Sequence, residues 1–192
     1  MTKFRLAMIT ALASASLLIL ASSSDDARVI RIRDDCEPAS FNAAVGSGTC
    51  VGNGNTTFQE FIAELQEDQV VGAWRFNPDE FDVDSGSPLI LESRAGETHT
   101  FTKVAEFGGG FIPALNNLSG NPVPRPECTT GVVLLNGNLQ PQPQSQTNIF
   151  VPAFSTKAGP IAGSSILPVG QFKFQCCIHP WMRTRGNVRQ KD

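Results

Sequence analysis

The stretch "QFKFQCCIHPWMRTRG", residues 171–186, holds the pattern on which the fold and the chemistry turn. Alternating Phe and polar residues lead into two adjacent cysteines, Cys176 and Cys177. His179, Pro180, Trp181 and Met182 follow. A strand that runs into a turn closed on Pro180 and Trp181 places sulfur, imidazole and thioether within seven residues. That density of soft donors points to a metal. It also asks which cysteine is the ligand and what the other one is for.

The donor types narrow the metal. A covalent haem needs Cys-x-x-Cys-His, and the order here is Cys-Cys-Ile-His. Structural zinc needs paired Cys-x-x-Cys or His-x-x-x-His elements, which are lacking. Iron–sulfur clusters need about four thiolates in a characteristic run. One thiolate, two imidazoles and a thioether suit copper, and a His₂Cys set with a weak axial Met is an electron-transfer arrangement. Cys176, His179 and Met182 supply three of these from one loop. The chain has only two histidines, so the other imidazole is His99. His99 opens the apparent strand "HTFTKV" just after the turn "SRAGET".

Outward from the loop, the chain reads as β-rich. Its 192 residues suit one domain with insertions. Seventeen Gly and thirteen Pro favour turns over a helical bundle. From Ala73 on, "AWRF", "FDV", "PLILES", "HTFTKV", "GVVLLN", "TNIFVPAF" and "FKFQC" are short strands separated by Gly, Pro, Asn and Asp. "RVIRIR" (28–33) alternates as an edge strand does. One helix is expected over 56–68, with Phe58, Phe61, Ile62 and Leu65 on its buried face and a capping box from Thr56 to Gln59. Seven or so strands after one helix predict a β-sandwich or Greek-key barrel. Residues 105–128 read as a long connection, and "NGNLQPQPQSQ" (136–146) as a flexible polar loop.

The N-terminus has the layout of a secretory signal: Lys3 and Arg5, an apolar run from Leu6 to Ala21, then small residues. Export to the periplasm or the extracellular space is expected, with cleavage near residue 24. An uncleaved anchor is the alternative. Loss of Lys3 and Arg5 takes the formal charge from −3 to −5. A mildly acidic chain without a basic cluster argues against a nucleic-acid role. No segment after the signal can span a membrane. An oxidising compartment favours disulfides, and five cysteines leave one thiol over.

"LPVGQFKFQCCIHPWMRTRG" resembles the last strand and copper loop of the cupredoxins, the blue copper proteins, and its Cys-x-x-His-x-x-Met spacing resembles the amicyanin type of loop. "FNPDEFDVDSGSPLILESRAGETHTFTKV" is similar to the cupredoxin segment that supplies the first histidine. The resemblance covers residues 74–104 and about 165–188. It implies a mainly β, Greek-key β-sandwich with one type 1 copper ion held by His99, Cys176, His179 and Met182, moving single electrons. The departures are a long separation between His99 and Cys176, filled by an insertion at about 105–146, and an extra N-terminal segment, residues 25–72, ahead of a domain spanning 73–192.

The resemblance and the alternation of side chains agree on the ligand cysteine. Phe172, Phe174 and Cys176 point one way, and Lys173, Gln175 and Cys177 the other. The two Phe belong in the core and Lys and Gln in solvent, so Cys176 faces inward. Cys36 and Cys50 bracket a short loop and form a natural pair. Cys177 then pairs with Cys128.

The function expected is electron transfer by an exported, monomeric protein that is not an enzyme. Two histidines cannot build a second copper centre. The alternatives are a copper storage or delivery protein and a metal-free cupredoxin-like binding module. The partner expected is another redox protein with an acidic surface. It would dock on an apolar patch of Ile178, Pro180 and Trp181 around His179, rimmed by Arg183 and Arg185.

Overall fold

In the computed structural model, which describes residues 27–129, 132–135, 138–141, 148–159 and 167–191, two mixed sheets pack face to face. The first has the order β2 (Arg75–Asn77), β1 (Arg28–Arg33), β4 (Leu89–Ser93), β9 (Thr156–Gly159). The second has the order β3 (Glu80–Asp84), β11 (Arg183–Arg189), β10 (Gly170–Gln175), β5 (His99–Val104), β8 (Asn148–Val151). The chain crosses between sheets after β2, β3, β4, β8 and β9. The expected class, a mainly β sandwich, is the one observed.

Alternation explains the core. Ile30 and Ile32 of β1, Phe76 of β2, and Leu89 and Leu91 of β4 face Phe81, Val83, Phe101, Phe174 and Val188 of the second sheet. Phe101 stacks on Phe174 at 4.6 Å between centroids and meets Phe76 edge-on at 5.2 Å, which joins the sheets. Aromatic pairs of this geometry contribute about 0.5–1.5 kcal/mol beyond their buried area.

Several local expectations change. β1 is not an edge strand. It pairs antiparallel with β2 and parallel with β4, in register from Arg28↔Leu89 to Ile32↔Ser93. Alternation reports that one face is buried and says nothing about hydrogen-bonded neighbours. The long helix is α2 (Phe58–Asp68), and its capping box lies one residue later than expected. Thr57 Oγ1 accepts from the Glu60 amide at 3.2 Å, and Glu60 Oε2 accepts from the Thr57 amide at 2.8 Å. Thr56 instead donates its hydroxyl to Asp35. Three further helical segments appear: α1 (Pro38–Ala44), α3 (Pro113–Leu118) and α4 (Pro126–Thr129). The region read as a flexible loop contains β7 (Asn138–Pro141), which pairs antiparallel with β6 (Val132–Leu135). The short polar strand expected at "GNVRQKD" (186–192) is β11, which begins earlier, at Arg183, and β9 is a strand that no sequence pattern marks. Residues 1–26, which hold the expected signal, lie outside the described residues. No helix among the described residues is long and apolar enough to cross a membrane.

Two disulfides are formed, Cys36–Cys50 and Cys128–Cys177, and Cys176 is free and buried. The first closes the segment ahead of α2; loops of that size contribute about 3 kcal/mol by restricting the unfolded chain. The second ties the 105–128 connection to the end of β10. Gly110 makes that approach possible, since a β-carbon there would run into the Cys177 carbonyl, and Phe111 donates its amide to the same oxygen at 2.9 Å.

That connection overturns one expectation. Gln175, expected in solvent from the alternation of β10, is fully buried. Its side-chain amide accepts from the Gly108 N–H at 3.0 Å and donates to the Gly108 carbonyl at 3.1 Å. The outer face of β10 is a second, polar interior covered by residues 105–128.

Candidate metal centre

The sandwich end where β5 begins and β10 stops brings His99, Cys176 and His179 together, with all three donor atoms within 4.8 Å of one another. His99 Nδ1 lies 3.8 Å from Cys176 Sγ, and His179 Nδ1 lies 4.0 Å from it. Cys176 and His99 are fully buried and His179 is 3% exposed. The loop is closed by its own backbone: the Cys176 amide donates to the Met182 carbonyl at 3.0 Å, and the Met182 amide to the His179 carbonyl at 2.9 Å. Met182 is buried on the same loop. Cys177, one residue on, turns to the opposite face. There its amide donates to Thr100 Oγ1 at 2.7 Å, and its sulfur bonds Cys128.

The sulfur is prepared as a thiolate. It accepts the amide of Thr100 at 3.4 Å and that of His179 at 3.5 Å. Burial pushes the Cys176 thiol up, but hydrogen bonds from His179 and His99, with the charge of both rings, outweigh it and hold the thiol well below its ordinary range.

Each imidazole offers Nδ1 to the cluster and turns Nε2 toward a carboxylate. His99 Nε2 lies 2.9 Å from Asp34 Oδ2. Asp34 also accepts the amides of Gly96 at 2.7 Å and Glu97 at 2.9 Å, so it fixes the turn before β5 as well as the ring. Burial opposes charge on His99, yet the bond to Asp34 and the neighbouring sulfur push it up to about 10. Burial likewise raises Asp34, and its bond and charge partner His99 bring it below its usual value. His179 Nε2 faces Glu97 Oε2 at 3.7 Å, and the same oxygen accepts the Trp74 indole N–H at 2.7 Å. A carboxylate behind each imidazole favours the proton on Nε2, so Nδ1 is the nitrogen that would give up its proton to ligate, the arrangement that orients metal-bound histidines. Asp34, Glu97 and Trp74 were missed in the sequence. Lone acidic residues far from the loop carry no spacing signal, and only the sheet register brings them in.

The donor set therefore fits a soft or borderline metal: one buried thiolate and two oriented imidazoles, without any competing exposed carboxylate among the three. The second acidic cluster, Asp34, Cys36 and Glu97, offers no such site, since Cys36 is in a disulfide.

The docking face differs from expectation. Ile178 and Pro180 are buried and Trp181 is half-buried, so these three residues do not form an exposed apolar patch around His179. The N-terminal segment covers it. Phe61 of α2 meets the His179 ring edge-on at 6.2 Å between centroids, and Trp181 at 5.8 Å. Trp74 lies beneath, 4.8 Å from Phe61. The basic residues sit on the outer face of the second sheet. Arg183 donates to the Pro180 carbonyl and packs over Phe107, and Arg185 pairs with Glu80.

No protein-family model matches the chain, and no curated protein does. Among solved structures, a purple cupredoxin from Nitrosopumilus maritimus is similar over 84% of this chain and 98% of its own, at 11% identity and a TM-score of 0.40. An amicyanin variant in the Cu(I) state is similar over 60% and 73%, at 13% identity and 0.33. Dithionite-reduced auracyanin from Roseiflexus castenholzii is similar over 59% and 86%, at 14% identity and 0.32. These likenesses are remote in sequence and superposition, and the chemistry of the centre rests on its own residues.

Proposed function

We propose that this chain is an exported type 1 copper protein that passes single electrons between redox partners. The observation that carries this reading is the convergence of Cys176 Sγ and two Nδ1 atoms in a buried cluster whose other imidazole nitrogens face carboxylates. Copper bound there supplies a one-electron couple. His99, Cys176 and His179 would hold the ion, with the Met182 thioether, buried on the same loop, as a weaker fourth donor. Asp34 and Glu97 orient the rings. The amides of Thr100 and His179 stabilise negative charge on sulfur. Phe61, Trp74 and Trp181 keep water from His179.

Burial favours a carrier over a delivery protein. Handing an ion to another protein needs a ligand within reach of solvent, and His99, Cys176, His179 and Met182 are at most 3% exposed. Both histidines of the chain are used in one cluster, which supports a carrier over a multi-centre oxidase. The direct test is the visible spectrum of the oxidised, copper-loaded protein. An intense thiolate-to-copper band with one copper per chain is expected, and stoichiometric copper without colour overturns the assignment.

The electron port in this reading is Trp181, whose ring lies 5.4 Å from that of His179 and which keeps a partly exposed edge. Replacing Trp181 with Ala should slow second-order electron transfer with a redox protein partner by about tenfold, as loss of an aromatic anchor does. The absorption band and potential serve as controls. An unchanged rate places the port elsewhere.

A further inference from the structure

Helices α1, α2 and α3 and the metal loop line a half-open cavity of about 350 Å³ beside the metal centre. Its walls include Phe41, Phe58, Phe61, Ile62, Leu115 and Ile178. Glu97 and His179, both buried, line it from the side of the cluster, with Thr49 and Thr98 the other polar residues. The volume lies at the lower end of the range for small-molecule sites, and apolar walls with a few converging polar groups are the form such sites take.

We propose that this cavity binds a small neutral aromatic alcohol, a molecule of the phenol class, with its ring between α2 and α3 and its hydroxyl on the Glu97 carboxyl. Three features choose this class. Facing walls of Phe, Ile and Leu accept a flat ring by stacking and edge contacts. The Glu97 carboxyl accepts one hydrogen bond from Trp74 and has acceptor capacity beyond it. A cationic ligand would add charge beside His179 Nε2, which already faces Glu97 at 3.7 Å, and would lose its own hydration in an apolar chamber. His179, whose Nδ1 faces Cys176, also lines the cavity, so a bound ring lies against that residue.

The binding belongs to the polypeptide and does not depend on the copper reading, so it is tested first on metal-free protein. Phenol, toluene and benzylamine are titrated while the methyl resonances of Ile62, Leu115 and Ile178 are followed. Phenol should saturate one site and shift these methyls, with toluene about tenfold weaker, the worth of one net hydrogen bond. A cavity that reads only apolar area would prefer toluene, because phenol would bury its hydroxyl unpaired. Leu115→Trp, which fills the chamber from α3, should lower phenol affinity by at least about tenfold. Ile62→Trp does the same from α2 should the first variant not fold. In copper-loaded protein, phenol should shift the visible band without displacing the metal. Toluene or benzylamine binding as tightly as phenol, shifts elsewhere in the molecule, or unaltered affinity in the filled variants overturns the proposal.

Discussion

Replacing Cys176 with Ser abolishes the intense visible absorption of the oxidised, copper-loaded protein and lowers copper affinity by more than the 10–100-fold typical of losing an orienting group. The Cys176 sulfur is the thiol of the cluster, and its negative charge is favoured by the Thr100 amide and by His99 and His179. A serine hydroxyl ionises far less readily and offers hard oxygen to a borderline ion. The fold should survive, because both disulfides are elsewhere and Ser is close in volume. The amides of Thr100 and His179 exchange a thiolate acceptor for a neutral hydroxyl oxygen, a weaker bond at a cost of about 1 kcal/mol. Absorption spectra and a competitive copper titration measure both effects. Met182→Gln provides the contrast: the band stays and the potential falls. A Cys176→Ser protein that keeps its colour would show that the thiolate is not the chromophore.

Replacing Asp34 with Ala should destabilise the metal-free protein by about 3–5 kcal/mol, the scale for breaking a buried pair, and weaken copper binding by about 10–100-fold. The Asp34 side chain is 1% exposed and holds three donors: the amides of Gly96 and Glu97 and the ring of His99. Alanine leaves all three unpaired where water does not reach. Asp34→Asn keeps the shape and one acceptor, so its loss should be intermediate. The pH dependence has a definite sign. His99 is raised to about 10 from 6.5, so its contribution is complete below 6.5 and disappears as pH climbs toward 10. Asp34 is lowered from 3.8, so its contribution is present above that value and is lost in stronger acid. Cys176, lowered from 9.0, acts in the opposite sense below that value, so urea unfolding of the metal-free protein should show a decline in wild-type stability as pH climbs from about 9 to 10 that is flattened in Asp34→Ala. Equal slopes in the two proteins would separate Asp34 from the raised His99.

Sequence spacing set out the metal loop because its contacts are local. Cys176, His179 and Met182 lie within seven residues, so one turn, closed by the Met182 amide on the His179 carbonyl, can bring their side chains to one end of the sandwich. Alternation along "QFKFQCC" put Cys176 inward and Cys177 outward, since successive residues of any strand face opposite sides. Odd cysteine number left one thiol. The amphipathic spacing of Phe58, Phe61 and Leu65 marked α2. Each of these follows from neighbours within a few residues.

Tertiary structure alone decided what lies against those faces. Asp34 reaches His99 across 65 positions, and Glu97 reaches His179 only because the turn before β5 is pinned by Asp34. Alternation in β1 showed a buried face but not the pairing on both edges that makes it an interior strand. Gln175 looks solvent-facing by pattern and is buried because residues 105–128 fold back over it. His179, expected at the surface, lies under Phe61 of a helix more than a hundred residues earlier in the chain. Periodicity encodes which side of a strand is apolar. Which distant segment covers that side depends on sheet order and loop closure, which no local pattern contains.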